Sequence, residues 1–119
     1  MFVIEFSPPM VGITGTFNTV RLGLKLSRCL NVGDKVVLID KRRAETMGAA
    51  FVESVHVGRL GDMAQLHAAE NHNQRGLDRE DAPKRLVANM VKRYGPHICN
   101  ENKYVTVVYL RMSDEDDLF

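Results

Sequence analysis

"KVVLIDKRRAETMGAAFVESVHVG" runs from residue 35 to residue 58, and how it is parsed settles the architecture of the chain. KVVLID (35–40) is a continuous apolar run of strand length, the pattern of a central strand covered on both faces. KRRAETMG (41–48) is polar and forms the connection. AAFVESVHVG (49–58) is a second long run rich in β-branched residues. Two such runs joined by a polar stretch predict an antiparallel hairpin.

Upstream, LKLSRCLNVGD (24–34) is a connection ending in a Gly33-Asp34 turn signal. TFNTVRL (16–22) is a strand. Thr19 and Arg21 are two residues apart, so a hydroxyl and a guanidinium share one strand face while Val20 and Leu22 take the other. FVIEF (2–6) alternates, with Phe2, Ile4 and Phe6 on one side, and SPP stops it because proline cannot donate to a ladder. MVGITG (10–15) is a turn-rich connection.

Downstream, GDMAQLHAAENH (61–72) predicts a helix capped by Asp62. Met63, Leu66 and Glu70 then fall on its inward face, which carries a carboxylate toward the sheet. NQRGLDRE (73–80) is a loop. DAPKRLVANMVKRYGP (81–96) is a second helix: Asp81 caps, Pro83 sits in the first turn, and Leu86, Val87, Met90, Val91 and Tyr94 form an apolar stripe. Lys92 and Arg93 suit the negative end of the helix dipole, and Gly95-Pro96 ends it. KYVTVVYLRM (103–112) is a closing strand, apolar on both faces. The expected fold class is α+β: a small, mostly antiparallel β-barrel of about five strands with two flanking helices.

The 119 residues suit a single domain, read as 1–112, followed by an acidic tail at 113–119. That tail holds Asp114, Glu115, Asp116 and Asp117, so the overall charge of +1 hides a basic body. Between residues 11 and 43 lie Arg21, Lys25, Arg28, Lys35, Lys41, Arg42 and Arg43, against only Asp34 and Asp40. A local excess of this kind suits a polyanion, and equally a solvated surface. No apolar run approaches the roughly 20 residues that span a bilayer, and the N-terminus lacks a basic leader region, so a cytoplasmic protein with no membrane contact is expected. Cys29 and Cys99 form no C-x-x-C pair and read as small hydrophobes. His67 and Glu70 at i, i+3 with His72 nearby do not amount to a ligand set, so no metal and no cofactor is expected. His56 reads as a core or rim histidine and His97 as a turn residue.

Thr19-Val20-Arg21, then Val32-Gly33-Asp34 before KVVLID, then Glu70 in HAAENH, then KYVTVVYL follow one another in an order that resembles the ASCH domain family, whose fold is PUA-like. Members of that family carry G-(R/K)-K-T-x-T-x-R early, then a Gly-Asp turn, then an acidic residue near the end of a middle helix. The resemblance spans nearly the whole chain and implies binding of RNA or nucleotides. The family's best-defined enzymes remove an acyl group from N4 of acetylated cytidine, using the motif Lys and Thr with the later Glu. The Thr carries over to Thr19 and the Glu to Glu70. Thr16 stands where the Lys belongs, so the amidohydrolase reading is the weaker one.

Three functions follow from these residues. The first is binding of RNA, a nucleotide or a modified nucleoside in a cleft lined by Thr19, Arg21 and Glu70, with Lys25, Arg28, Lys41, Arg42 and Arg43 meeting phosphates; DNA stays open as a ligand. The second is hydrolysis of modified cytidine or of RNA, with Thr19 as nucleophile, Glu70 as acid or base, and Arg21 and Lys25 in support. The third is a protein interaction module. Structural roles compete throughout: a strand threonine can satisfy a neighbouring backbone group, and Arg21 with Glu70 can be an ion pair fixing helix to sheet.

Overall fold

The structure is a computed structural model of the chain and describes residues 2–7 and 11–113. Asp114 to Asp117, which carry the charge of the expected tail, lie outside the described residues. Five strands form one sheet: β1 (Phe2–Phe6), β2 (Thr16–Leu22), β3 (Lys35–Asp40), β4 (Glu45–Arg59) and β5 (Tyr104–Met112). Three helices accompany them: α1 (Lys25–Cys29), α2 (Leu60–His67), which runs on into a 3-10 turn at Ala68–Glu70, and α3 (Ala82–Tyr94). Among the described residues no helix is long and apolar enough to cross a membrane.

The 35–58 stretch forms the expected antiparallel hairpin, although β4 begins at Glu45 instead of residue 49. Asp40 makes the turn tight, since its Oδ1 accepts the N–H groups of Arg42 (3.0 Å) and Arg43 (3.3 Å). Pairing therefore resumes sooner than the polar composition of 41–48 implies. Register shifts between Leu38 and Ile39 and between Val52 and Ser54 bend the long strands.

The strand order is β1-β3-β4-β5-β2, with β1 parallel to β3 and every other pair antiparallel. β1 and β2 are thus the two edges. In a flat sheet they would stand about 19 Å apart, four strand spacings of about 4.8 Å. The rings of Phe6 in β1 and Phe17 in β2 are instead 6.5 Å apart. The sheet curls until its edges face one another, but no backbone ladder joins them, so the expected barrel is curled and unclosed.

Side chains and a non-strand segment fill the seam. The His72 ring packs edge-on against Phe6 (5.2 Å) and Phe17 (6.0 Å). The His72 N–H donates to Asn18 C=O at 3.1 Å, covering the free flank of β2. Asn18 Nδ2 donates to His67 C=O at 2.8 Å, and Arg75 Nη1 donates to Gly12 C=O at 2.9 Å. Gly12 is required here: its φ is +67°, and a Cβ would stand 2.0 Å from the His72 carbonyl oxygen.

One core cluster fills the curled sheet with Ile4, Phe6, Phe17, Val36, Leu38, Val108 and Leu110, while a second, of Leu60, Ala64, Ala68, Leu86, Met90 and Val105, joins α2 and α3 to β5. β5 is apolar on both faces because it serves both clusters.

Three helical expectations need correction. α1 is a short helix inside the 24–34 connection. Neither Asp62 nor Asp81 caps with its side chain; β4 passes straight into α2 after Arg59, so Asp62 lies in the first turn. The inward stripe of α2 is Leu60, Ala64 and Ala68, at i, i+4 and i+8, and Leu66 is 69% exposed. Starting the helix at Leu60 keeps Met63 at the margin of the buried face, half-buried against the second cluster, but leaves Leu66 and Glu70 outside it, so the carboxylate turns outward. In α3 Pro83 sits in the first turn as expected, and Gly95 ends the helix with φ 87°.

Candidate functional site

Where β1 and β2 face one another beneath α3, a cleft of about 660 Å³ opens. β1 gives it Glu5, Phe6 and Ser7; β2 gives Thr19, Val20 and Arg21. The seam segment contributes Asn71, His72, Asn73 and Gln74, and α3 contributes Leu86, Asn89, Met90, Lys92, Arg93 and Tyr94.

Thr19 and Arg21 meet as their strand spacing predicts. Arg21 Nε donates to Thr19 Oγ1 at 2.9 Å, and the guanidinium carbon lies 4.8 Å from the centre of the Phe6 ring. Thr19 is buried. The hydroxyl and the ring together fix the plane of the guanidinium. Burial pushes the Arg21 pKa down; Tyr94 and Glu5 oppose the shift and Arg93 adds to it. The group keeps its charge, since an arginine does not deprotonate in a protein.

His72 is neutral. Burial holds its pKa at about 4, helped by the charge on Arg21 and opposed by the bond to Val11. That bond, Nδ1 to Val11 C=O at 3.2 Å, fixes the tautomer: the carbonyl only accepts, so Nδ1 carries the proton and Nε2 keeps its lone pair. Asn71 is used structurally, with Oδ1 accepting the Asn73 N–H at 3.1 Å and Nδ2 facing Asn18. Gln74 Oε1 takes Arg85 Nε at 2.7 Å. Across the mouth Arg93 Nη2 donates to Ser7 Oγ at 2.9 Å, tying α3 to the end of β1. Among the described residues three cations and one carboxylate line the cleft, a balance that favours anions.

The remaining expected site residues lie elsewhere. Glu70 is outside the cleft, an exposed residue whose Oε1 accepts from Arg79 Nη2 at 3.3 Å. The expected convergence of Thr19, Arg21 and Glu70 therefore does not form, and the cause is the rotated face of α2. The expected Arg21–Glu70 ion pair is absent for the same reason. Lys25 and Arg28 are exposed on α1 and do not line the cleft. Lys41, Arg42 and Arg43 occupy the exposed β3–β4 turn. Lys41 N–H donates to Phe6 C=O at 2.9 Å, so this basic run starts beside the end of β1, where Ser7 enters the cleft.

Sequence reasoning missed Glu5, His72, Lys92 and Arg93 as lining residues. A signal for the helix was present: Leu86, Asn89, Met90 and Arg93 follow i, i+3, i+4 and i+7, so two polar residues interrupt an inward stripe. No local signal marks His72.

Elsewhere, His56 is half-buried and stacks on His67 at 4.7 Å, and His67 Nδ1 bonds Tyr109 Oη at 2.8 Å. Burial, then the neighbouring His56, lowers the His67 pKa. Cys99 is buried and Cys29 half-buried. Among the described residues no three His, Cys, Asp or Glu side chains converge to hold a metal.

No protein-family model matches the chain, and no curated protein matches it significantly. Solved structures do. A protein of Enterococcus faecalis V583 described as DUF984 superposes with a TM-score of 0.60 at 9% identity, over 92% of this chain and 70% of that one. A mutant form of ZmASCH from Zymomonas mobilis gives 0.54 at 14% identity, over 98% and 76%. A second mutant of the same protein gives 0.53 at 14% identity, over 98% and 75%. At such identities the likeness is one of fold. The chain has the α+β, PUA-like fold of the ASCH structures, with its cleft at the seam between the two sheet edges.

Proposed function

We propose that this cleft is a recognition site for RNA, a nucleotide or a modified nucleoside. The observation that carries the reading is Arg21: a half-buried guanidinium, oriented by Thr19 and Phe6, lining a cleft with surplus positive charge. Guanidinium groups stack on bases and donate to bases and phosphates, and side-chain amides such as Asn73 and Asn89 read base edges. The ASCH resemblance implies the same ligand class. Lys41 adjoins the end of β1 through its backbone, which supports a role for Lys41, Arg42 and Arg43 in meeting the phosphates of a longer strand. Hydrolysis by Thr19 with Glu70 draws no support from the geometry, because Glu70 faces away.

A thermal-shift screen of the whole chain against nucleosides, nucleotides and short RNAs tests the proposal, since a ligand that binds only the folded state raises the melting temperature. Stabilisation by members of this set, lost in Arg21→Gln, is the expected result. A flat response across the whole set refutes it. For RNA, changing Lys41, Arg42 and Arg43 to Gln should weaken binding and flatten its salt dependence.

A further inference from the structure

Arg21 forms no ion pair among the described residues. A half-buried cation without a counter-ion is partly desolvated at a cost, and an anion supplied by a ligand offsets that cost. The donors of Arg21 are not all in use. Nε is bonded to Thr19, whereas Nη1 and Nη2 make no hydrogen bond within the described chain. Among the described residues no fully buried side-chain nitrogen or oxygen lacks a partner, so these two nitrogens reach open space, and Arg21 lines the cleft. The guanidinium is therefore held by one edge and one face and presents its fork to the ligand.

Two more cations stand on the last turn of α3. Arg93 is positioned by Ser7 Oγ, and Lys92 lines the same cleft. The seam side differs in character: it offers the neutral ring of His72, the exposed amide of Asn73 and, behind it, the buried amide of Gln74, whose Oε1 is already held by Arg85, with no formal charge on these three. The site is thus charged on one side and neutral but hydrogen-bonding on the other.

We propose that the cleft selects a nucleotide through its phosphate: a phosphomonoester seats on the Arg21 fork with Arg93 and Lys92 beside it, and the nucleobase lies toward Asn73 and Gln74. This inference rests on the nucleotide-binding reading above and decides between a nucleotide and a bare nucleoside. A phosphomonoester carries close to two charges and three acceptor oxygens, which suits a bidentate guanidinium next to two further cations.

Calorimetric titration of the whole chain with the four ribonucleosides, their 5′-monophosphates and inorganic phosphate, at one fixed ionic strength, provides the test. At least one monophosphate should bind at least about tenfold tighter than its nucleoside, the usual worth of a charged hydrogen bond. Arg21→Gln should erase that advantage, and circular dichroism should confirm that the variant folds. Arg93→Gln, at an exposed position, should reduce the advantage whether or not Arg21→Gln folds. Lys84→Gln, exposed on α3 and outside the cleft, should leave it intact. A nucleoside binding as tightly as its monophosphate overturns the phosphate assignment and leaves the recognition site standing. Inorganic phosphate binding as tightly as every nucleotide overturns nucleotide selection. If no member of the panel binds, the phosphate assignment fails, and the site reading fails with it only if short RNAs are also without effect in the thermal-shift screen.

Discussion

Replacing His72 by phenylalanine should make the folded protein markedly less sensitive to acid. The ring sits between Phe6 and Phe17 at the seam, is 7% exposed, and holds its proton with a pKa of about 4 against an ordinary 6.5. The folded state therefore binds this proton less readily than the unfolded chain does. Stability is unaffected above the ordinary value, falls as pH drops through the window from about 6.5 to about 4, and has lost the full amount below it. The gap is worth about 3 kcal/mol at 1.36 kcal/mol per unit. Urea unfolding followed by circular dichroism at about pH 7, about pH 5.5 and about pH 4 measures it. His72→Phe keeps a ring in the gap but loses the Val11 bond, so it should be less stable near neutrality by about 1–3 kcal/mol. Its decline between the neutral and acid measurements should nevertheless be shallower than wild type by about 3 kcal/mol. His67 and every carboxylate contribute to both proteins and cancel in the comparison. Parallel declines in the two proteins would show that His72 is not held neutral by burial, and the account of the seam would be wrong.

Two further outcomes follow from the same geometry. Gly12→Ala places a methyl carbon against the His72 carbonyl at a left-handed φ, and should cost at least about 2 kcal/mol of unfolding free energy in the same urea assay. Glu70→Gln removes only an exposed pair with Arg79, so it should cost less than about 1 kcal/mol and leave the affinity of any nucleotide for the cleft unchanged in calorimetry.

The hairpin, α3 and the closing strand were legible because their signals are local. The polar run after Asp40 separates two apolar runs of strand length, and Pro83 and Gly95 punctuate a helix by their own backbone limits. The phase of α2 was not legible, because it depends on where β4 ends. A strand that runs into a helix without an intervening loop hides Leu60, the residue that sets the buried stripe. Glu70 was misplaced by that one rotation. Thr19 and Arg21 were found together since period two puts them on the same face, and their hydrogen bond needs nothing beyond it. The rest of the cleft comes from contacts between distant segments. Asn71 and His72 read as the end of a helix and Gln74 as part of a loop, and only the meeting of β1 with β2 gives the imidazole an apolar slot to fill.

Phe6 belongs to the core of the curled sheet and at the same time carries the guanidinium of Arg21 on its ring. A single aromatic side chain is therefore common ground for cohesion and for the orientation of a cleft cation. Substitutions there cannot trade one against the other, since loosening the interior also tilts the cation that a guest molecule would meet. Variation in ligand preference is left to positions with no duty inside the sheet, such as Asn73, Asn89 and Lys92, whose side chains stand on the surface of this cleft.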